Sequence, residues 1–170
     1  MAASHLNSRP DRDTMIRRLR DFQIHWLKKL EEWKEQGLTG EEQQSAHRFW
    51  IDLHRCFGIR GERVNLFERN VKRSSTGGRG RIDLFYPGVV IEESKRPGVG
   101  SAVAYEQVLD YLNGGDVLET KWPRYILLTN FEEFQLIRLG DPELAVDTEF
   151  PLSELASAQV PGGLRHCYEG

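Results

Sequence analysis

From Arg81 to Leu112 the chain spells strand, turn, strand, break and helix, and that order constrains the fold more than any other stretch. Arg81 to Tyr86 and Val89 to Lys95 are short apolar runs joined by Pro87-Gly88, so they read as an antiparallel hairpin. Pro97-Gly-Val-Gly100 then breaks the chain. Ser101 is placed to cap a helix to about Leu112, with Ala104, Val108, Leu109 and Leu112 as its buried face. Two more strands follow, Arg124 to Thr129 and Glu133 to Leu139. Strands that first meander and are then crossed by a helix give a mixed central sheet flanked by helices, an α/β (α+β) fold.

The flanks agree with that architecture. Upstream, Ile16, Leu19, Phe22, Trp26, Leu30 and Trp33 recur at three and four, predicting a helix over Asp13 to Gln36. Asp13 or Thr14 can cap it and Gly37 can end it. Thr39-Gly-Glu-Glu42 fits a capping box for a second helix, which presents Ala46, Phe49, Trp50, Leu53 and Phe57 and stops at Gly58. Val64 to Val71 reads as a strand, Ser74 to Gly80 as a loop, and Ser153 to Ala158 as a short helix. We divide the chain into a helical extension (1–38), an αβββαβ core (39–160) and a tail (161–170).

At 170 residues the chain makes one ordinary domain. No apolar run nears the roughly 20 residues that cross a bilayer, and Met1 to Pro10 lacks a secretory stretch, so no membrane role and a cytoplasmic setting are expected. Cys56 and Cys167 stand far apart, outside any CxxC pattern, and are expected as free thiols. A net charge of −3 makes no global case for nucleic acid. Its distribution is more informative, because seven basic residues lie between Arg60 and Arg81 against only Glu62 and Glu68. Lys72, Arg73, Arg79 and Arg81 in that stretch could track a phosphate backbone.

The hairpin also carries the chemistry. Alternate strand residues share a face, so Glu93 and Lys95 point the same way and Asp83 can lie beside them. Two carboxylates can hold a hard cation such as Mg2+ or Mn2+, and an ammonium can stabilise charge developing on phosphorus. A surface Glu–Lys pair is the bland alternative, but charge inside so apolar a strand is costly to bury without partners. Glu92 is the rival carboxylate; it points to the opposite face and leaves Ser94 where the lysine should be. His47 and His54, seven apart on one helix, read as packed or solvent-facing, and Trp26, Trp33 and Trp50 as core.

Asp83-x9-Glu93-x-Lys95 matches the PD-(D/E)xK nuclease pattern, although Ile82 stands where the naming proline would be. The run Gly78 to Lys95, followed by Ala104-Tyr-Glu-Gln107-Val-Leu-Asp-Tyr111 and Pro123 to Phe131, resembles the N-terminal nuclease domain of MmeI-type (type IIG/IIL) restriction–modification enzymes and related phage-defence methyltransferases. The resemblance spans roughly Thr39 to Leu155. It implies a restriction-endonuclease-like core and a magnesium-dependent endonuclease acting on double-stranded DNA. Asp83, Glu93 and the Ser94 carbonyl become metal ligands, and Lys95 orients water or neutralises the transition state. Gln107 and Tyr111 resemble the QxxxY motif of RecB-like nucleases, bracing the lysine or touching DNA; Glu42 is a further candidate. It also implies a prokaryotic setting and linked or associated methyltransferase and target-recognition domains. S-adenosylmethionine would bind only in that methyltransferase, which nothing in this chain resembles, so we expect a domain excised from or encoded apart from a larger protein. Cutting both strands with one site per chain needs a dimer or two successive events. The alternative from another class is a non-cleaving DNA-binding or docking module of a methyltransferase.

Overall fold

In the computed structural model, which describes residues 9–37, 41–59, 67–72, 79–115, 117–140, 148–157 and 160–169, helices cover both faces of a six-stranded sheet. In chain order the elements are α1 (Arg12–Gln36), α2 (Glu41–Cys56), β1 (Phe67–Lys72), β2 (Arg79–Tyr86), β3 (Val90–Ser94), α3 (Ser101–Asn113), β4 (Tyr125–Thr129), β5 (Glu133–Arg138), β6 (Thr148–Pro151) and α4 (Val160–Glu169). Spatial order follows sequence order, β1 to β6. Every pairing is antiparallel except β3 with β4, which α3 joins as the crossover.

Strand alternation splits the core in two. Ile91, Ile126 and Leu128 face α3, packing on Ala104, Val108, Tyr111 and Leu112. Val90 and Leu127, one residue out of phase, face α1, α2 and α4. That second layer is rich in aromatic rings: Trp26, Trp33, Phe49 and Phe131 meet largely edge-on, with centroids 4.9–6.4 Å apart. α1 belongs to this layer through Met15, Leu19, Phe22, Trp26, Leu30 and Trp33, all buried.

Several local expectations are corrected. The α1 cap is Asp11, whose carboxylate accepts the Thr14 N–H at 2.7 Å; Asp13 sits already within the first turn. Met15 rather than Ile16 starts the buried stripe, and Tyr111 rather than Leu109 lies fully buried on α3. Gly100, not Ser101, is the α3 N-cap and offers no side-chain bond. The hairpin loop holds three residues, because Tyr86 pairs with Val90. Val89 N–H reaches Tyr86 O at 3.0 Å, and Gly88 supplies the positive φ of 74° that a Pro-Gly turn needs there.

β6 and α4 were not foreseen, and the expected helix over 153–158 is a 3₁₀ turn at Leu152–Glu154. A four-residue strand ending in proline carries too little pattern to announce itself, and Pro161-Gly-Gly163 argues against a helix by propensity. Packing overrides that propensity, since Leu164 and Cys167 are buried in the shared core. Residues 38–40 and 60–66, with the Thr39 cap and the start of the first predicted strand, lie outside the described residues, as does the Glu42 side chain.

Candidate active site

The hairpin register determines which carboxylates meet. Leu84 pairs with Glu92, so the next position sets Asp83 opposite Glu93. Asp83 N–H approaches Glu93 Oε2 at 3.4 Å. Ser94 turns its backbone N–H onto Asp83 Oδ2 at 2.8 Å and donates its hydroxyl to the same oxygen. Glu93 Oε1 accepts from Lys95 Nζ at 3.1 Å and from Gln107 Nε2 at 2.8 Å. Lys95 also donates to Gln107 Oε1, and the Gln107 amide meets the Tyr111 hydroxyl. Asp83, Glu93, Ser94, Lys95, Gln107 and Tyr111 thus form one network between the end of β3 and the middle of α3.

Each member is positioned by its element. Gln107 and Tyr111, four apart, share a side of α3 and face the strand. Tyr111 is buried behind Gln107, so it braces the glutamine and offers no surface to DNA. Lys95 leaves the strand at the carboxyl end of the parallel pair, where its N–H is held by Thr129 O at 2.9 Å. Clefts at the carboxyl ends of parallel strands are where open α/β sheets bind ligands. Here a groove of about 160 Å3 opens beside Lys95, lined also by Ser101, Thr129, Asn130 and Gln135.

The β4–β5 corner that shapes this groove is held tightly. Asn130 Oδ1 accepts the Glu132 and Glu133 N–H groups at 3.1 and 2.9 Å, and Asn130 Nδ2 donates to Val99 O at 3.0 Å. Phe131 takes a positive φ of 70°, rare for a bulky side chain, and its ring is anchored in the aromatic layer.

Glu93 is only 2% exposed, and burial, then the nearby Asp83 charge, push its carboxyl up to about 8 against the opposing pull of Lys95. The pair therefore holds more negative charge than the site tolerates without a proton or a cation. Among the described residues, Asp83 Oδ1 takes no hydrogen bond and Glu93 Oε2 takes only the long contact from Asp83 N–H. Oxygen donors in that state suit a hard divalent cation, which needs only one or two carboxylates beside its waters. No group of three or more His, Cys, Asp or Glu that could hold a metal occurs among the described residues.

Glu92 falls on the opposite face, as alternation requires, and is fully buried. His54 Nε2 lies 3.0 and 2.9 Å from its two oxygens, and the Tyr168 hydroxyl donates to Oε1 at 2.6 Å. Burial, the Glu92 charge and Cys167 raise the Tyr168 phenol well above its usual value, so it remains a donor. His47, by contrast, is exposed. The sequence reading had His54 only as packed or solvent-facing and did not name Tyr168; the signal available for both was a glutamate in an apolar strand, which demands buried partners.

Of the basic residues, Lys72 and Arg79 are cross-strand partners in β1 and β2, and Arg81 pairs with Asn70. Their side chains, and all of Arg73, lie outside the described residues. Cys56 and Cys167 are free and buried, and burial pushes the Cys56 thiol up to about 12. No helix among the described residues is long and apolar enough to cross a membrane.

In a comparison with known protein families, the model described as MmeI, N-terminal domain, matches residues 17–160. No curated protein and no solved structure matches the chain.

Proposed function

The chain belongs to the MmeI N-terminal domain family, and from that premise we propose that it is a metal-dependent endodeoxyribonuclease domain hydrolysing phosphodiester bonds. The family ties the chain to restriction–modification polypeptides acting on DNA. The finer reading rests on one observation: Asp83, Glu93, Lys95 and Gln107 converge on a single patch beside an open groove.

Asp83 and Glu93, with the Ser94 carbonyl, would hold Mg2+ or Mn2+. Bound there, the cation polarises a phosphoryl oxygen and acidifies a water. The remaining work falls to the chain itself. Lys95, held by Glu93 and Gln107, lines the groove, where its ammonium would neutralise charge gathering on the phosphoryl oxygens. Gln107 fixes both groups by bonding each, and Tyr111 fixes Gln107, so the lysine pays little entropy on meeting the substrate. Ser94 orients Asp83 through its N–H and hydroxyl, both on Oδ2, and Oδ1 would be available to the cation. The linked methyltransferase and target-recognition domains, double-stranded DNA as partner and a role in phage defence belong to the same proposal.

The test is purified protein with supercoiled plasmid and Mg2+ or Mn2+, beside Lys95→Ala prepared identically. Nicking by the parent and none by the variant is the expected result. Equal cutting by both would refute the assignment of Lys95, and no cutting by either would favour a docking module.

A further inference from the structure

Two glutamates stand side by side in β3, and the apolar residues around them do not decide which enters the site. Val89, Val90 and Ile91 precede Glu92-Glu93, so a slip of one residue exchanges one apolar residue for another on both faces. The same slip would put Glu92 and Ser94 where Glu93 and Lys95 now meet Gln107. It would also move Glu93 into the half-buried place of Ser94 and set Ile91 against His54 and Tyr168. The apolar pattern alone therefore leaves the register open, and what specifies it is the turn at Gly88 together with polar partners.

The reverse face supplies them. Glu92 is 0% exposed, and both its oxygens are taken up by His54 of α2 while Tyr168 of α4 adds a third bond. His54 is itself 3% exposed, so this is a buried hydrogen-bonded pair. Breaking such a pair leaves a buried polar group without its partner, whereas holding it fixes the strand that carries it, the role best attested for buried polar pairs. The Tyr168 ring is seated independently of its hydroxyl, against Phe57 at 5.0 Å and His54 at 5.2 Å. Its helix, α4, begins where the family match ends at residue 160.

We propose that His54 and Tyr168 are positioning residues that select the register of β3, binding Glu92 on the reverse face and so assigning Glu93 to the site. Docking of α4 is then a condition of a competent site; the word competent rests on the nuclease reading, the register itself does not.

Tyr168→Phe removes the hydroxyl and keeps the ring. Backbone amide exchange in metal-free protein reads the register directly, at the Ser94 N–H held by Asp83 and the Lys95 N–H held by Thr129. Loss of one charge-assisted bond should speed both amides about tenfold or more, with the α1 amides of Phe22 and Trp26 unchanged. Unchanged Ser94 and Lys95 amides, or one common factor across the whole chain, would overturn the assignment. A second background, His54→Leu with Glu92→Leu, removes the carboxylate whose face is in question and keeps an apolar core. There Tyr168→Phe should no longer speed the two amides; the same acceleration would mean that Tyr168 acts by packing alone. A parallel Mn2+ titration should show binding about tenfold weaker in Tyr168→Phe, following the exchange. A parent that binds no Mn2+ would sink the metal reading, and the exchange comparison would still decide the register.

Discussion

Replacing Glu93 by glutamine keeps the shape of the side chain and removes its charge, so the two proteins should respond differently to pH. Burial and Asp83 raise the Glu93 carboxyl from 4.5 to about 8 in the fold. A group whose folded value is raised lends stability that is complete below its unfolded value and is lost as pH climbs through the folded one. The loss therefore runs from about pH 4.5 to about pH 8 and then levels off. Each tenfold change in proton affinity is about 1.4 kcal/mol, so between pH 6 and pH 9 the fold gives up roughly 3 kcal/mol. For a chain of this size that lowers Tm by about 6–12 °C. Metal-free parent and Glu93→Gln, melted side by side from pH 5.5 to 9, share every other titrating group, so their difference isolates this carboxyl. The parent should fall away from the variant through that window, and saturating Mg2+ should close the gap by taking the place of the proton. Parallel curves would show that Glu93 ionises without cost, and the account of a charge-strained pair would be wrong.

Asp83→Ala should abolish any rise in Tm that Mg2+ or Mn2+ gives the parent, a comparison that scanning calorimetry makes directly; a rise of the same size in the variant would place the metal elsewhere. Gln107→Leu removes the amide that bonds Glu93 and Lys95, and should cut nicking activity roughly 10–100-fold with Tm nearly unchanged. Phe131→Ala empties a buried position in the aromatic layer and should cost about 3–5 kcal/mol in urea unfolding; a loss under about 1 kcal/mol would mean the corner does not depend on that ring.

What the sequence revealed followed the strength of its periodic signals. The α1 stripe, the α2 face and the β2–β3 hairpin each repeat one period over several residues, and each formed close to where the pattern put it. The alternation that grouped Glu93 with Lys95 and turned Glu92 away is the same kind of signal, and with Asp83 opposite it brought the main network within reach of sequence alone. β6 and α4 were illegible for the opposite reason. Thr148–Pro151 is too short to show a period, and Pro161-Gly-Gly163 opposes a helix that only the burial of Leu164 and Cys167 sustains.

The partners of Glu92 were hidden in another way, because nothing local links His54, Glu92 and Tyr168. They come from three elements spread over more than half the chain and meet only once the sheet has its helices on the reverse face. On the proposed reading a single strand carries one glutamate for chemistry and one for placement, and only the first could be recognised by spacing. The second is inferable from energetics: a carboxylate in the sequence Val-Val-Ile-Glu-Glu must either reach water or find a buried donor, and β3, covered on both faces, leaves it no water to reach. Reading a strand for its chemistry thus requires asking where the other face sends its charge.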